Sequence, residues 1–280
     1  MKRTRFTVLL SALVLTTVAA KADGIMYLDD AYGDIYAGDP DAATPVYSSI
    51  GNIYSSAPTQ LVAGGLTDIG FAAGTLYGLD SGGNLYSVNT SNAALTFIGN
   101  TGVTDGSLVG LSDSTSALLL AGGSGQTYSL DLGTGAATSL GVGGNGYTTA
   151  GDLDFDGSGN LWLTSTTPSG TGDALWQINP DGTGTDAGFL PYLNVWGMAY
   201  DGSSGTLWGY TNGGTQFDVN TANPSASGGS ATFTLTAGDD SYVNLLGAAY
   251  IAPEPSSLVL MGSGLILFVV YRRRKAHSAV

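Results

Sequence analysis

One stretch of the chain has side chains spaced for metal chemistry. It reads Asp152-x-Asp154-x-Asp156-Gly157-x-x-Asn160. Carboxylate and amide oxygens at alternate positions, followed by a glycine turn, are ligands that calcium prefers. The stretch begins like an EF-hand loop, but Leu163 stands where a bidentate glutamate is expected. Two interpretations stay open: a calcium site with Asp152, Asp154, Asp156 and Asn160 as ligands, or a strand that ends in a solvated turn.

Other catalytic side chains are scarce. The chain has no cysteine, its single histidine is His277, and its single glutamate is Glu254. Ser-His-Asp and Cys-His arrangements and ordinary zinc sites are therefore excluded from the body of the chain. Acid–base chemistry would have to use pairs of aspartates. We expect no catalytic residues, no cofactor other than the possible calcium, and a protein that is not an enzyme.

The charges are divided between the body and the ends. All 22 acidic residues lie between Ala22 and Tyr271, and this segment has no Lys or Arg, since all 8 basic residues lie outside it. A body without cations has nothing to neutralise phosphates, so nucleic-acid binding is excluded and binding to anionic lipid is disfavoured.

The elements that position these residues come from a repeat. Similar five-residue patterns occur at 85–89, 127–131, 175–179 and 216–220, roughly 40 to 48 residues apart. In each copy an aromatic residue is followed two positions later by an aliphatic one and then by Asn or Asp. Such alternation before a turn residue predicts a β-strand. Two further strands precede each copy, at 69–71, 109–111, 153–155 and 196–200, and at 76–78, 118–120, 161–163 and 207–209; a weaker fourth follows, as at 94–98 and 136–140.

Four strands per unit of this length predict an all-β fold, a β-propeller of about five four-stranded blades. The first blade is predicted to use 34–37 and 52–54, with 60–63 as its outer strand. Segment 246–251 resembles a first strand without a continuation, so we expect it to close the ring on the first blade. A β-sandwich or a β-solenoid is the alternative. The repeat is similar to that of propellers in secreted bacterial proteins in architecture only, because no WD40 or kelch signature occurs.

The N-terminus has the pattern of a secretory signal. Basic residues precede an apolar run, and Ala20-Lys21-Ala22 forms a small-x-small cleavage site. Residues 1–22 are therefore predicted to be a signal helix that is removed, which leaves 23–252 as the propeller domain.

The C-terminus, residues 253–280, has three parts. Pro253-Glu254-Pro255 is followed by an uncharged stretch, 256–271, and then by Arg272, Arg273, Arg274 and Lys275. The uncharged stretch predicts a single transmembrane helix whose basic end stays in the cytoplasm. Together the three parts resemble the PEP-CTERM sorting signal of Gram-negative bacteria that make extracellular polysaccharide. The resemblance implies an exosortase as partner, which recognises the Pro-Glu-Pro motif.

These patterns predict an exported protein that is anchored in the inner membrane by its C-terminus. It then passes to the cell envelope, cell surface or extracellular space. We expect a non-catalytic binding or structural role, with secretion machinery and extracellular polysaccharide as further partners. The alternatives are a calcium-dependent propeller hydrolase or lyase and a lectin-like glycan binder. Recurring Tyr and Trp side chains either stack on sugar rings or, as we predict, pack in the core.

Overall fold

A computed structural model describes residues 24–251, except 105, 111–116, 123–124, 142–145, 167–171, 237 and 239–242. These residues belong to the unit Asp23–Pro253. The predicted signal helix and transmembrane helix, with the cleavage-site and sorting-motif residues, lie outside the described residues. Within the described part, no helix is long and apolar enough to cross a membrane.

The described residues form strands throughout, interrupted by two short 3-10 turns at Ile53–Ser56 and Pro224–Ala226. Blade 1 contains β1 (Ile25–Asp30), β2 (Asp34–Gly38) and β3 (Val46–Asn52). Blade 2 contains β4 (Leu66–Ala72), β5 (Thr75–Asp80), β6 (Asn84–Val88) and β7 (Leu95–Asn100). Blade 3 contains β8 (Ser107–Gly110), β9 (Ala117–Gly122), β10 (Gln126–Asp131) and β11 (Ala137–Ser139). Blade 4 contains β12 (Thr149–Phe155), β13 (Leu161–Ser165), β14 (Ala174–Ile178) and β15 (Gly184–Phe189). Blade 5 contains β16 (Val195–Asp201), β17 (Thr206–Thr211), β18 (Thr215–Asp218) and β19 (Gly228–Thr232). The last strands, β20 (Thr234–Thr236) and β21 (Leu245–Ile251), return to blade 1.

Blades 2 to 5 are four-stranded antiparallel sheets whose strands follow chain order. Their first strands contact one another in a ring, in the order β4, β8, β12 and β16, and β21 completes it. The predicted all-β propeller of five blades is therefore confirmed. In this arrangement the innermost strand of each blade has one edge that faces the axis.

The ring is closed by the two ends of the described chain. Strand β21 pairs antiparallel with β1, from Ile25 opposite Ile251 to Leu28 opposite Ala248. The prediction that 246–251 closes the ring is confirmed. Strand β20 adds in parallel to the outer edge of β3, with Thr234 opposite Val46. Blade 1 therefore has five strands, and the edge that β3 would leave open is covered.

Details of the first blade differ from the prediction. Residues 60–63 are not a strand but lie in a turn region, and β20 occupies the outer edge instead. The predicted strand at 52–54 ends at Asn52, whose side chain accepts a hydrogen bond from the Tyr54 N–H and so caps a 3-10 turn. Strand β1 was not predicted, although it forms a local hairpin with β2; only its other partner, β21, comes from the far end of the described chain.

The core is divided among the blade interfaces. Each of the five interfaces between neighbouring blades contains one cluster of buried hydrophobic residues. Repeat aromatics such as Tyr86, Trp162 and Phe217 are buried in these clusters. For these positions the prediction that aromatics pack in the core is confirmed, and the sheets are joined face to face by apolar contact.

Candidate functional site

The predicted calcium ligands Asp156 and Asn160 lie in the tight turn between β12 and β13. Asp156 Oδ1 accepts hydrogen bonds from the backbone N–H groups of Ser158 and Asn160, at 2.8 and 2.9 Å. Its Oδ2 accepts from the Asn160 amide and from Trp162 Nε1, both at 2.9 Å. Burial raises the pKa of Asp156, but these hydrogen bonds outweigh it and leave the pKa below its ordinary value. Gly159 permits the turn with a φ of 81°.

The same arrangement occurs in two other hairpins, at Asp30 and Asp80. In each, Oδ1 of the aspartate accepts from the N–H groups two and four residues later. Oδ2 accepts from the tyrosine hydroxyl six residues later, at 3.1 Å for Tyr36 and 2.9 Å for Tyr86. The spacing Asp-x-x-Gly-Asn/Asp-x-aromatic is visible in the sequence at all three places, although the sequence analysis did not use it. We call these three turns the aspartate hairpins.

The aspartate hairpins lead to a prediction on metal removal. Asp156→Ala is expected to lower the free energy of unfolding by about 1–2 kcal/mol, because four donors, three of them partly buried, lose their acceptor. Its oxygens are already bonded to protein donors, so we expect the same loss with calcium and with a chelator. Thermal unfolding in both conditions checks this, with Asp80→Ala as a matched control in a hairpin where no calcium was predicted. A loss for Asp156→Ala that appears only with calcium would contradict the expectation.

The other two predicted ligands, Asp152 and Asp154, lie on β12 beside the axis. Asp152 Oδ2 accepts hydrogen bonds from the N–H groups of Met198 and Ala248, at 2.8 and 3.1 Å. Asp154 Oδ2 accepts from the Tyr200 N–H. Carboxylates from blade 4 thus bond edge N–H groups of β16 and β21, which face the axis and have no neighbouring strand there.

The four predicted ligands therefore serve two different places, the axis and a hairpin turn. Among the residues that the structure describes, no group of three or more His, Cys, Asp or Glu is arranged to hold a metal. Calcium at Asp152, Asp154, Asp156 and Asn160 was a prediction from spacing, and the comparison of Asp156→Ala with calcium and with a chelator tests it against the expectation of no calcium effect.

Three buried carboxyl groups meet at the axis, from Asp29, Asp68 and Asp152, which are 1%, 0% and 0% exposed. Oδ1 of Asp29 lies 2.7 Å from the point where a Cβ on Gly247 would stand, and Oδ1 of Asp68 lies closer still. The carboxyl group of Asp68 lies close enough to that of Asp152 to lower the pKa of Asp152, although burial, the larger effect, raises it. Within the described part of the chain, neither oxygen of Asp29 has a partner in hydrogen-bond geometry. We call these three residues the axial carboxyl cluster.

A pocket of about 210 Å³ opens where the innermost strands begin. Each innermost strand contributes at least one residue to its wall, namely Thr67, Ser107, Gly151, Trp196 and Leu246. Gly106 and Thr149 complete the lining, and none of these described residues carries a charge. The Ser107 hydroxyl bonds the Gly151 carbonyl and the Thr149 hydroxyl, so the polar part of the wall is held in place. We call this the entry pocket.

A larger cavity, of about 480 Å³, separates blades 3 and 4. Its wall is mainly apolar, with Leu119, Phe155, Leu161 and Ile178 among the lining residues. It belongs to one blade interface, whereas the entry pocket combines an indole, hydroxyl groups and backbone from all five blades. Both spaces join apolar surface to polar groups; we take the entry pocket as the candidate ligand site because residues of all five blades meet there.

Comparison with known proteins adds one assignment. Residues 252–275 match the family model of the PEP-CTERM protein-sorting motif. No curated protein matches the chain.

Two solved structures from Bacteroides thetaiotaomicron are similar to the chain. One is a structural genomics protein of unknown function, 14% identical, with a TM-score of 0.45 over 82% of this chain and 70% of that one. The other is the extracellular domain of a protein named as a hybrid two-component system, 16% identical, with a TM-score of 0.38 over 66% of this chain. The likeness spans only 24% of that second protein.

The matched residues contain the Pro253-Glu254-Pro255 and arginine segments that the sequence analysis singled out. The chain therefore carries a PEP-CTERM sorting motif after a five-bladed β-propeller, and the motif implies export, a membrane-anchored C-terminus before processing, and an exosortase as the processing partner.

Proposed function

We propose that the propeller is a non-catalytic binding module that holds a neutral glycan in the entry pocket, at the cell surface or in the extracellular matrix. The observation that carries this proposal is the composition of the pocket. Trp196, with its indole, lines the pocket together with Thr67, Ser107 and Thr149, whose hydroxyl oxygens can accept hydrogen bonds, and none of the described lining residues is charged. This combination suits a sugar ring, whose C–H face packs on an aromatic ring while its hydroxyls form hydrogen bonds.

The size of the pocket supports one sugar unit of a polymer. A volume of about 210 Å³ is below the range of pockets that enclose drug-sized ligands. The pocket is open at the end where the innermost strands begin, so neighbouring sugar units would extend over the face of the propeller. Binding would then depend on many weak contacts, which is how a matrix polymer gains avidity.

The charge of the body favours a neutral polymer over an anionic one. The segment from Ala22 to Tyr271 has 22 acidic residues and no Lys or Arg. The negative electrostatic potential of this segment repels polyanions at moderate salt, and the segment has no Lys or Arg side chain to bind them. A hydrolase or lyase would need an acid and a base at the substrate, and the described residues that line the entry pocket include no carboxylate.

Trp196→Ala is expected to weaken glycan binding about tenfold, because the stacking surface is lost. The measurement is retention of the protein, purified from its native host, on gels containing a neutral polysaccharide such as dextran, with alginate as the anionic comparison. Phe189→Ala is the matched control, since Phe189 is 49% exposed but lies on β15, at the outer edge of blade 4. We expect retention by dextran, little by alginate, and loss in Trp196→Ala alone.

Two results would overturn the proposal. Equal retention of the wild-type protein and Trp196→Ala would remove the entry pocket as the site. Release of new reducing ends from the polysaccharide during incubation would show an enzyme and favour the calcium-dependent hydrolase or lyase instead.

A further inference from the structure

We propose that Tyr32 and Tyr54 form a second subsite for the same neutral glycan, so that the propeller binds the polymer along its length. The inference rests on the proposed function, because it concerns the sugar units that extend out of the entry pocket. Three observations carry it: where the two side chains lie, how exposed they are, and how the backbone beneath them is held. We call these two residues the tyrosine platform.

The two residues differ from the other tyrosines in their exposure. Among the tyrosines that the structure describes, only Tyr32 and Tyr54 are exposed, at 38% and 45%. Repeat aromatics such as Tyr86 are buried between the blades. Exposed aromatic rings that occur together, and not scattered over the surface, are typical of a binding surface.

Tyr32 lies at the end of the propeller where the entry pocket opens. Asp30, the last residue of β1, is opposite Leu245 in the ladder with β21. The next residue of β21, Leu246, lines the entry pocket. Tyr32 follows Asp30 in the hairpin between β1 and β2, so it lies beside the mouth of the pocket.

Tyr54 lies between this hairpin and the wall of the pocket. A Cβ on Gly33, the neighbour of Tyr32, would stand 2.7 Å from Cε2 of Tyr54. A Cβ on Gly65 would stand 3.3 Å from the Tyr54 hydroxyl oxygen. Gly65 precedes Thr67 of the entry pocket by two residues, a span of at most roughly 7 Å. One extended chain of sugar units can therefore reach the platform from the pocket.

The backbone of the platform is fixed before any ligand binds. The Tyr54 N–H donates to Asn52 Oδ1 at 3.0 Å. The N–H of Ile53, a fully buried residue, donates to the Gly33 carbonyl at 2.8 Å. Tyr32 lies in the first of the aspartate hairpins, and its N–H donates to the aspartate at 3.0 Å. Rigid aromatic side chains on a fixed backbone lose little conformational entropy on binding.

The charges around the platform favour a neutral chain. The carboxyl groups of the two aspartate hairpins at this end, Asp30 and Asp80, are 1% and 0% exposed and accept hydrogen bonds within their turns. Exposed carboxylates lie at or just after the ends of third strands, at Asp131, Asp181 and Asp218. Third strands run in the direction of the innermost strands, so they end away from the entry pocket.

The test measures the affinity of the protein, purified from its native host, for glucose and for dextran oligomers of increasing length. The wild-type affinity is expected to rise about tenfold from glucose to the longest oligomer, because added units stack on the platform. Tyr32→Ala and Tyr54→Ala should each lose about threefold to fivefold in affinity for the longest oligomer. Both should bind glucose as the wild type does, which shows that the pocket is intact.

Two controls accompany these variants. Tyr54→Phe keeps the aromatic ring and should keep the gain with length. Val46→Ala changes a residue that is 44% exposed, close to the exposure of Tyr54, but lies at the start of β3, away from the entry pocket. It should bind every oligomer as the wild type does.

The other outcomes separate the platform from the entry pocket. Affinity that does not rise with length, while Trp196→Ala still weakens binding of glucose, would overturn the platform and leave the proposed function in place. A rise that persists when Tyr32 and Tyr54 are both alanine would place the added contacts elsewhere. Loss of glucose binding in both alanine variants would show that the tyrosines support the pocket and form no separate subsite. No binding of any oligomer by the wild type would overturn both proposals.

Discussion

Replacing Gly247 by alanine is expected to lower the free energy of unfolding by about 3 kcal/mol, at the upper end of what overpacking usually costs. The added Cβ would stand 2.7 Å from Asp29 Oδ1 and 3.0 Å from the Cα of Asp68. The Cα belongs to the backbone of another blade, so it cannot move aside without disturbing β4. Because 1 kcal/mol corresponds to about 2–4 °C for a domain of this size, the melting temperature should fall by about 6–12 °C.

A second glycine provides the control for this measurement. A Cβ on Gly213, in the turn between β17 and β18, would meet nothing within 4 Å. Gly213→Ala is therefore expected to change the stability by no more than about 0.5 kcal/mol. If both variants have the melting temperature of the wild-type protein, the closing strand is not packed against the axial carboxyl cluster as described.

Loss of the sorting motif is expected to stop processing of the protein altogether. Removing residues 252–275, the matched segment, leaves the propeller without the signal that implies an exosortase. Glu254→Ala changes only the centre of Pro253-Glu254-Pro255, so it should retain the apolar stretch and the arginines but lose recognition. Fractionation of the native host with an antibody against the propeller measures the size and location of each form.

The expected pattern separates sorting from simple anchoring. The wild-type protein should reach the surface or the medium in a processed form, whereas both variants remain unprocessed. Asp218→Ala, which removes one carboxylate from the propeller, should behave as the wild type. Processing of Glu254→Ala at the wild-type level would mean that the tail acts as a general membrane anchor.

Repetition made most of the fold predictable. A strand pattern that recurs in four copies identifies blades 2 to 5, because each blade is contiguous in the sequence and its strands pair with their neighbours. Blade 1 was predicted less well for a physical reason. Its strands come from both ends of the chain, so β20 has a partner that no local pattern indicates, whereas the β1–β2 hairpin at Asp30 was readable from its spacing and was missed. The closing strand was the exception, since 246–251 resembles 196–200.

The candidate site was harder to predict. Spacing alone singled out Asp152, Asp154, Asp156 and Asn160. It does not show that the first two bond backbone N–H groups at the axis, whereas the last two lie in a hairpin turn. Burial decides this, because Asp152 is enclosed between blades that are distant in the sequence. The aspartate hairpins were readable in principle, since the same spacing occurs three times. The entry pocket was not, because its five wall residues differ in type and meet only when the ring closes.

The pairing of β1 with β21 also means that the ring can close only late in export. With the predicted N-terminal signal, β1 would leave the cytoplasm first, and β21 would follow only after every blade has crossed. Contacts between such distant segments form slowly, so the hairpins of blades 2 to 5 are expected to form before the ring is sealed. The sorting motif begins at residue 252, immediately after the last residue of β21. A cut within the motif therefore leaves β21 paired with β1. A cut a few residues earlier would remove part of β21, open the ring and expose the edge of blade 1.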